Sequence, residues 1–141
     1  MLSPSNNPTA AVPRILLVED DGPVRRALQL LLRAEGYDVR AYPSAVGLAQ
    51  DAEALRSDCL VADLVMPNKD AIELLTALRE AGWEGHAILI SGFLNADRER
   101  QAREAGYVKI LPKPIGDAVL TRAVAELLAR EVAPVASPKA S

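Results

Sequence analysis

Several carboxylates, one hydroxyl and one lysine recur at the same kind of place in this chain, directly after a short apolar run. Asp63 closes the run Cys59-Leu60-Val61-Ala62 and is followed by Leu64-Val65-Met66-Pro67. Glu19, Asp20 and Asp21 follow RILLV at 14–18, Ser91 follows AILI at 87–90, and Lys113 follows a run that ends at Leu111. Apolar runs of this length, bounded by turn signals, read as buried strands. In an open α/β sheet, ligands bind in the crevice outside the carboxyl ends of the strands. The four loops therefore converge on one site, with Asp63 at its centre.

Those side chains share a chemistry. Three carboxylates in one cleft repel unless a cation joins them. Glu19, Asp20 and Asp63 offer hard oxygen ligands, and the backbone carbonyl of Val65 offers another. The set suits Mg²⁺, which binds through one or two carboxylates, retained waters and a phosphate. Lys113, held between Pro112 and Pro114, supplies a fixed cation, and Ser91 supplies a hydroxyl donor. A carboxylate in such company can attack phosphorus and form an aspartyl-phosphate. Catalysis then consists of holding the phosphoryl group in line and neutralising its oxygens. Taken singly, Asp21 reads as a helix cap, Ser91 as a turn serine and Lys113 as a solvated charge. Their convergence on Asp63 is what carries the reading.

The elements that must position them alternate regularly. Gly22-Pro23 opens a helix with apolar residues at Val24, Ala27, Leu28, Leu31 and Leu32. Residues 37–42 form a strand nearer an edge, because Asp38 and Arg40 interrupt it. Ser44 is placed to cap a weaker helix over Ala45, Leu48, Ala49 and Ala52. Asp70 caps a helix with Ala71, Leu74, Leu75 and Leu78 on one face, and Asn95 caps another at 96–105. That helix is almost wholly charged, leaving alanines for a core, and should be the most loosely anchored. Pairs such as Glu99 with Arg103 support it by only about 0.2–0.5 kcal/mol each. A strand at 107–111 and a helix opened by Asp117, with Leu120, Ala123, Val124, Leu127 and Leu128 on one face, complete the pattern. Five β-α units predict a flavodoxin-like, doubly wound α/β fold, a five-stranded parallel sheet of order 2-1-3-4-5 with five helices. That order sets Asp20 and Asp63 across one crevice.

The totals agree. A chain of 141 residues, half of them hydrophobic and a quarter charged, is one domain of ordinary globular composition. The net charge of −3 leaves no basic footprint for nucleic acid. The single cysteine, Cys59, excludes an intrachain disulfide and a cysteine zinc cluster. No apolar run is long enough to span a bilayer, and 1–13 lacks the charged and apolar regions of a secretory signal, so the expected location is cytoplasmic. His86 reads as a surface residue and Trp83 as a loop aromatic that serves as a packing lid.

The chain resembles the receiver domain of two-component response regulators from about residue 14 to about residue 130. The pieces that carry the resemblance are ILLVEDD at 15–21, DLVMP at 63–67, ISG at 90–92 and KP at 113–114. The resemblance implies that Asp63 accepts a phosphoryl group from a histidine on a sensor kinase or phosphotransfer protein. It implies Glu19 and Asp20 as Mg²⁺ residues, and Ser91 and Lys113 as phosphate-binding residues. Such a protein catalyses only its own phosphorylation and dephosphorylation. The expected organisation is a disordered leader at 1–13, a receiver domain at 14–131 and a flexible tail at 132–141, without an output domain.

Two positions depart from the family's pattern. Ala71 stands where glycine is common, and Ile110 where an aromatic residue usually swings inward, with Tyr107 three residues earlier. Ile110, Tyr107 and Phe93 are thus the residues to watch for the output change. A downstream protein, or a second copy bound through the 96–131 face, would read that change. Three other readings compete. A receiver-like domain that works without phosphate would keep the fold and lose the chemistry. A haloacid-dehalogenase-like phosphatase needs a second aspartate where Val65 stands. A flavin module needs a phosphate-binding loop where Glu19-Asp20-Asp21 would repel the phosphate.

Overall fold

The computed structural model describes residues 11–65, 70–92 and 94–136, with side chains described to residue 129. Its strands are β1 (Arg14–Val18), β2 (Asp38–Tyr42), β3 (Cys59–Asp63), β4 (His86–Ser91) and β5 (Lys109–Pro112). Its helices are α1 (Gly22–Ala34), α2 (Ala71–Glu80), α3 (Ala96–Ala105) and α4 (Asp117–Ala136). All strand pairs are parallel and the order is β2-β1-β3-β4-β5, the expected doubly wound arrangement. β3 is buried along its whole length, whereas β2 and β5 form the edges and are partly exposed. The interruption by Asp38 and Arg40 is therefore an edge signature, as the sequence indicates. α4 continues through the first residues of the expected tail.

The sheet separates two apolar layers. Leu74, Leu75 and Leu78 of α2 and Ala102 of α3 pack on one face with Leu16, Leu60, Leu89 and Tyr107. Leu28 and Leu32 of α1 and Leu120, Val124 and Leu127 of α4 pack on the other with Ile15, Val61 and Ile88. Alternate residues of each strand serve opposite layers, as the strand pleat requires.

The helix expected after Ser44 does not form. Two short 3₁₀ turns, Leu48–Gln50 and Ala54–Arg56, occupy that connection, so the described residues form four α-helices rather than the expected five. Two local features explain this. Gly47 adopts φ +80°, a left-handed conformation outside a helix, and Asp51 is extended. The Asp51 carboxylate then accepts the N–H groups of Glu53 and Ala54, which a helix would have used. Ala45, Leu48 and Ala49 are buried as expected, while Ala52 is exposed.

Trp83 is a packing lid. It is buried, its Nε1 donates to Ser57 O at 2.7 Å, and the Arg79 guanidinium lies 5.0 Å from the ring centroid. The neighbouring Gly85 is required by this packing. A Cβ there would stand 2.3 Å from the Trp83 ring and 2.8 Å from the Asp58 carbonyl oxygen. Gly85→Ala is expected to cost about 1–3 kcal/mol of unfolding free energy by overpacking. Urea denaturation reads this directly, and a loss under about 0.5 kcal/mol would show that the loop yields.

Candidate functional site

The site lies at the C-terminal rim of the sheet. β1 delivers Glu19 and Asp20, β3 ends in Asp63, β4 ends in Ser91, and Lys113 follows β5 directly. Asp63 is opposite Ile90 in the ladder, one residue before Ser91. The Lys113 N–H donates to Ser91 O at 2.9 Å, which ties the last two loops together. The Lys113–Pro114 peptide is cis. All five expected polar residues thus meet at one edge.

Their contacts are specific. Lys113 Nζ donates to Asp63 Oδ2 at 2.9 Å and lies 3.5 Å from Glu19 Oε1. Glu19, Asp63 and Ser91 are buried, and Asp20 is exposed. The carboxylates of Glu19, Asp20 and Asp63 each place an oxygen within 4.8 Å of the others. Burial pushes the Glu19 carboxyl above its ordinary range, and the charge of Asp63 adds to this. The Asp21 N–H and Lys113 pull it back only in part. Burial alone would depress the Lys113 ammonium, but its hydrogen bond to Asp63 and the charges of Asp63 and Glu19 outweigh it. Lys113 is therefore held protonated.

The donor set fits Mg²⁺. Three hard carboxylates crowd together, one exposed to solvent, and the buried Glu19 Oε1 accepts no close hydrogen bond, with the Lys113 ammonium 3.5 Å away. A buried acceptor left in that state is costly, and a divalent cation would satisfy it. Val65 stands at the same rim, two residues past Asp63, with its side chain 72% exposed.

The remaining sequence candidates fall into place unevenly. Asp21 is the N-cap of α1, accepting from Val24 N at 3.0 Å, which is its plainer reading. Ile110 is half-buried on β5. Tyr107 is buried, and its hydroxyl donates to Ala71 O at 2.7 Å. Burial pushes its phenol far above the ordinary range, so it remains a donor. Phe93, Met66 and Pro67 lie outside the described residues, as does most of the expected leader. His86, half-buried, begins β4.

Two arginines, one at the site and one on α3, escaped the sequence reading. Arg25 reaches back from α1 to the acidic turn, with Nη1 2.9 Å from Glu19 O. Arg98 of α3 pairs with Asp70, the N-cap of α2, at 2.7 Å. Only Arg25 had a local signal, since an arginine four residues past an N-cap lies one helical turn from it.

A doubly wound parallel sheet with this rim defines a class, and the comparisons with known proteins narrow it. Residues 15–125 match the family described as the response regulator receiver domain, and the chain belongs to that family. It is 32% identical over 108 residues to the transcriptional regulatory protein FixJ of Rhizobium meliloti (strain 1021), covering 77% of this chain and 53% of that protein. It is 30% identical over 132 residues to the transcriptional regulatory protein PdtaR of Mycobacterium tuberculosis (strain ATCC 25618 / H37Rv), covering 88% and 61%. The chain thus spans about half the length of its FixJ relatives.

Among solved structures, FixJ-N is similar with TM-score 0.74 and 30% identity, covering 83% of this chain and 94% of that one. A CheY-like receiver domain protein from Methanospirillum hungatei JF-1 shares the fold with TM-score 0.80 at 20% identity, covering 88% and 99%. This chain is accordingly a two-component signal-transduction receiver domain. Among the described residues, no helix is long and apolar enough to cross a membrane.

Proposed function

We propose that this receiver domain is a phosphoryl-accepting switch with Asp63 as the acceptor. An Asp63 carboxylate oxygen attacks phosphorus of a phosphohistidine on a sensor kinase or phosphotransfer protein. The P–O bond forms as the P–N bond breaks, and the imidazole leaves. Glu19, Asp20, Asp63 and the Val65 carbonyl would hold Mg²⁺, which supplies charge neutralisation to the phosphoryl oxygens. Lys113 neutralises a further oxygen, and Ser91 donates to another. The observation that carries this reading is the buried Asp63 carboxylate paired with Lys113 at 2.9 Å inside a three-carboxylate cluster. The chain turns over no other substrate in this reading.

Phosphorylation replaces a compact carboxylate by a larger dianionic group, which keeps Lys113 as its counter-charge and draws Ser91 toward it. The change reaches the surface formed by α3 and β5, where Ile110 is half-buried and beneath which Tyr107 is packed, and a partner protein reads it there.

The test is intact mass after incubation with acetyl phosphate and Mg²⁺. One added phosphoryl group is expected, absent from Asp63→Asn and from a sample treated with a metal chelator. An adduct that persists in Asp63→Asn would displace Asp63 from its role. No adduct in the wild-type protein, with a phosphohistidine donor tried as well, would leave a receiver fold that acts without phosphate.

A further inference from the structure

Three successive carbonyl oxygens of the acidic turn accept hydrogen bonds from one residue. The Arg25 backbone N–H donates to Asp21 O at 2.8 Å. Its guanidinium Nη1 donates to Glu19 O at 2.9 Å and to Asp20 O at 3.5 Å. None of these bonds goes to a carboxylate oxygen, so Arg25 takes no ligand away from a metal. The same turn is held from the other side, where Glu19 N–H donates to Tyr42 O at 3.0 Å and Asp21 N–H to Glu19 Oε2 at 3.1 Å.

We propose that Arg25 is a positioning residue for divalent-cation binding. Its guanidinium fixes the backbone of the 19–21 turn, so that the Glu19 and Asp20 carboxylates stand beside Asp63 before any metal arrives. The inference rests on reading the acidic cluster as a Mg²⁺ site. The need for such a device follows from the charges. Glu19, Asp20 and Asp63 repel one another, and Asp20 is exposed and free to swing away if its backbone loosens. A clamp on the carbonyls restrains the turn without touching the ligand atoms. The planar guanidinium can serve two acceptors at once, whereas a lysine ammonium is a mobile point charge on a flexible stem.

The charge of Arg25 alone predicts the opposite effect of its removal. A cation beside a metal site lowers the local negative potential, so deleting it would tighten cation binding. Positioning predicts weakening, since loss of a group that orients metal ligands commonly costs about 10–100-fold in affinity. The sign of the change therefore decides.

The experiment is calorimetric titration of MgCl₂ into the wild-type protein, Arg25→Ala and Arg25→Lys, with thermal unfolding of each recorded without metal. The expected result is a Mg²⁺ dissociation constant raised about tenfold in Arg25→Ala. Arg25→Lys should recover part of that loss. An Arg25→Ala protein that binds Mg²⁺ as tightly as wild type, or more tightly, would overturn the inference even if its melting temperature falls. If Arg25→Ala does not fold, Arg25→Lys decides: weakened binding at an unchanged melting temperature supports positioning, and unchanged binding overturns it. A wild-type protein that binds no Mg²⁺ would instead remove the metal-site reading itself.

Discussion

Replacing Lys113 with alanine is expected to destabilise the protein when Mg²⁺ is absent, and much less when it is present. The Lys113 ammonium lies 2.9 Å from Asp63 Oδ2 and 3.5 Å from Glu19 Oε1, and those two carboxylate side chains are only 8% and 2% exposed. Removing one member of such a cluster leaves the others buried without a counter-charge, a larger effect than the net worth of the contact. Because Lys113 is itself partly exposed, water enters the gap and the loss stays near about 1–3 kcal/mol. A cation bound by the same carboxylates substitutes for the lost charge. Urea denaturation of both proteins with and without MgCl₂ measures this. Equal losses under the two conditions would separate Lys113 from the metal cluster, and no loss at all would show the carboxylates to be adequately solvated.

Tyr107 carries the second large effect, on the other side of the sheet. It packs among Leu75, Leu78 and Leu89 in one apolar layer and hydrogen-bonds Ala71 O in the first turn of α2. Tyr107→Phe keeps the ring and removes the hydroxyl's bond to Ala71 O, which as the first carbonyl of α2 also accepts the helical N–H of Leu75, at an expected cost of about 0.5–1.5 kcal/mol. Tyr107→Ala also opens a cavity, for which aromatic truncations cost about 3–5 kcal/mol. The spacing between the two variants in urea denaturation separates the hydrogen bond from the packing. A Tyr107→Phe variant as stable as wild type would mean that the helical bond alone satisfies Ala71 O.

This tether belongs to a wider set of bonds at the start of α2. Ala71 N–H donates to Leu64 O at 3.3 Å, and Leu64 directly follows Asp63. Asp70 caps α2 with one carboxylate oxygen and binds Arg98 of α3 with the other. The first turn of α2 is therefore bonded to the exit of β3, to α3 and to the lead into β5. Among the described residues, Tyr107 and the Asp70–Arg98 pair both tie the start of α2 to the α3–β5 side.

Most of the fold was legible because its signals are local or periodic. The three inner strands are built on short apolar runs, 15–18, 59–62 and 87–90, and the stripes of α2 and α4 follow helical spacing to residues that are in fact buried. The missing helix failed on a point that periodicity does not register. Ala45, Leu48 and Ala49 have helical spacing, but Gly47 in a left-handed conformation and Asp51 capping its own neighbours divert the backbone into 3₁₀ turns. At the site, Asp63, Glu19, Asp20, Ser91 and Lys113 stand out because each ends or follows a strand. Arg98 does not, because its partner Asp70 is 28 residues away and no spacing rule links them. Trp83 was placed as a lid, yet its bond to Ser57 spans 26 residues and is set by the fold alone.

The division of the interior into two layers has a mechanical meaning at the rim. Glu19 and Asp20 lead into α1 and Lys113 into α4, which pack on one face, whereas Asp63 leads into α2 and Ser91 into α3, which pack on the other. Traversed in chain order, the site residues feed opposite faces of the sheet, with both kinds of helix hinged on one small constellation. Behind the rim the layers are walled off by five strands and can drift apart in sequence without disturbing each other. In the switch proposed above, a group on Asp63 that pulls on both Lys113 and Ser91 would load both layers simultaneously, so the rim would act as a differential that gears the two faces to one event.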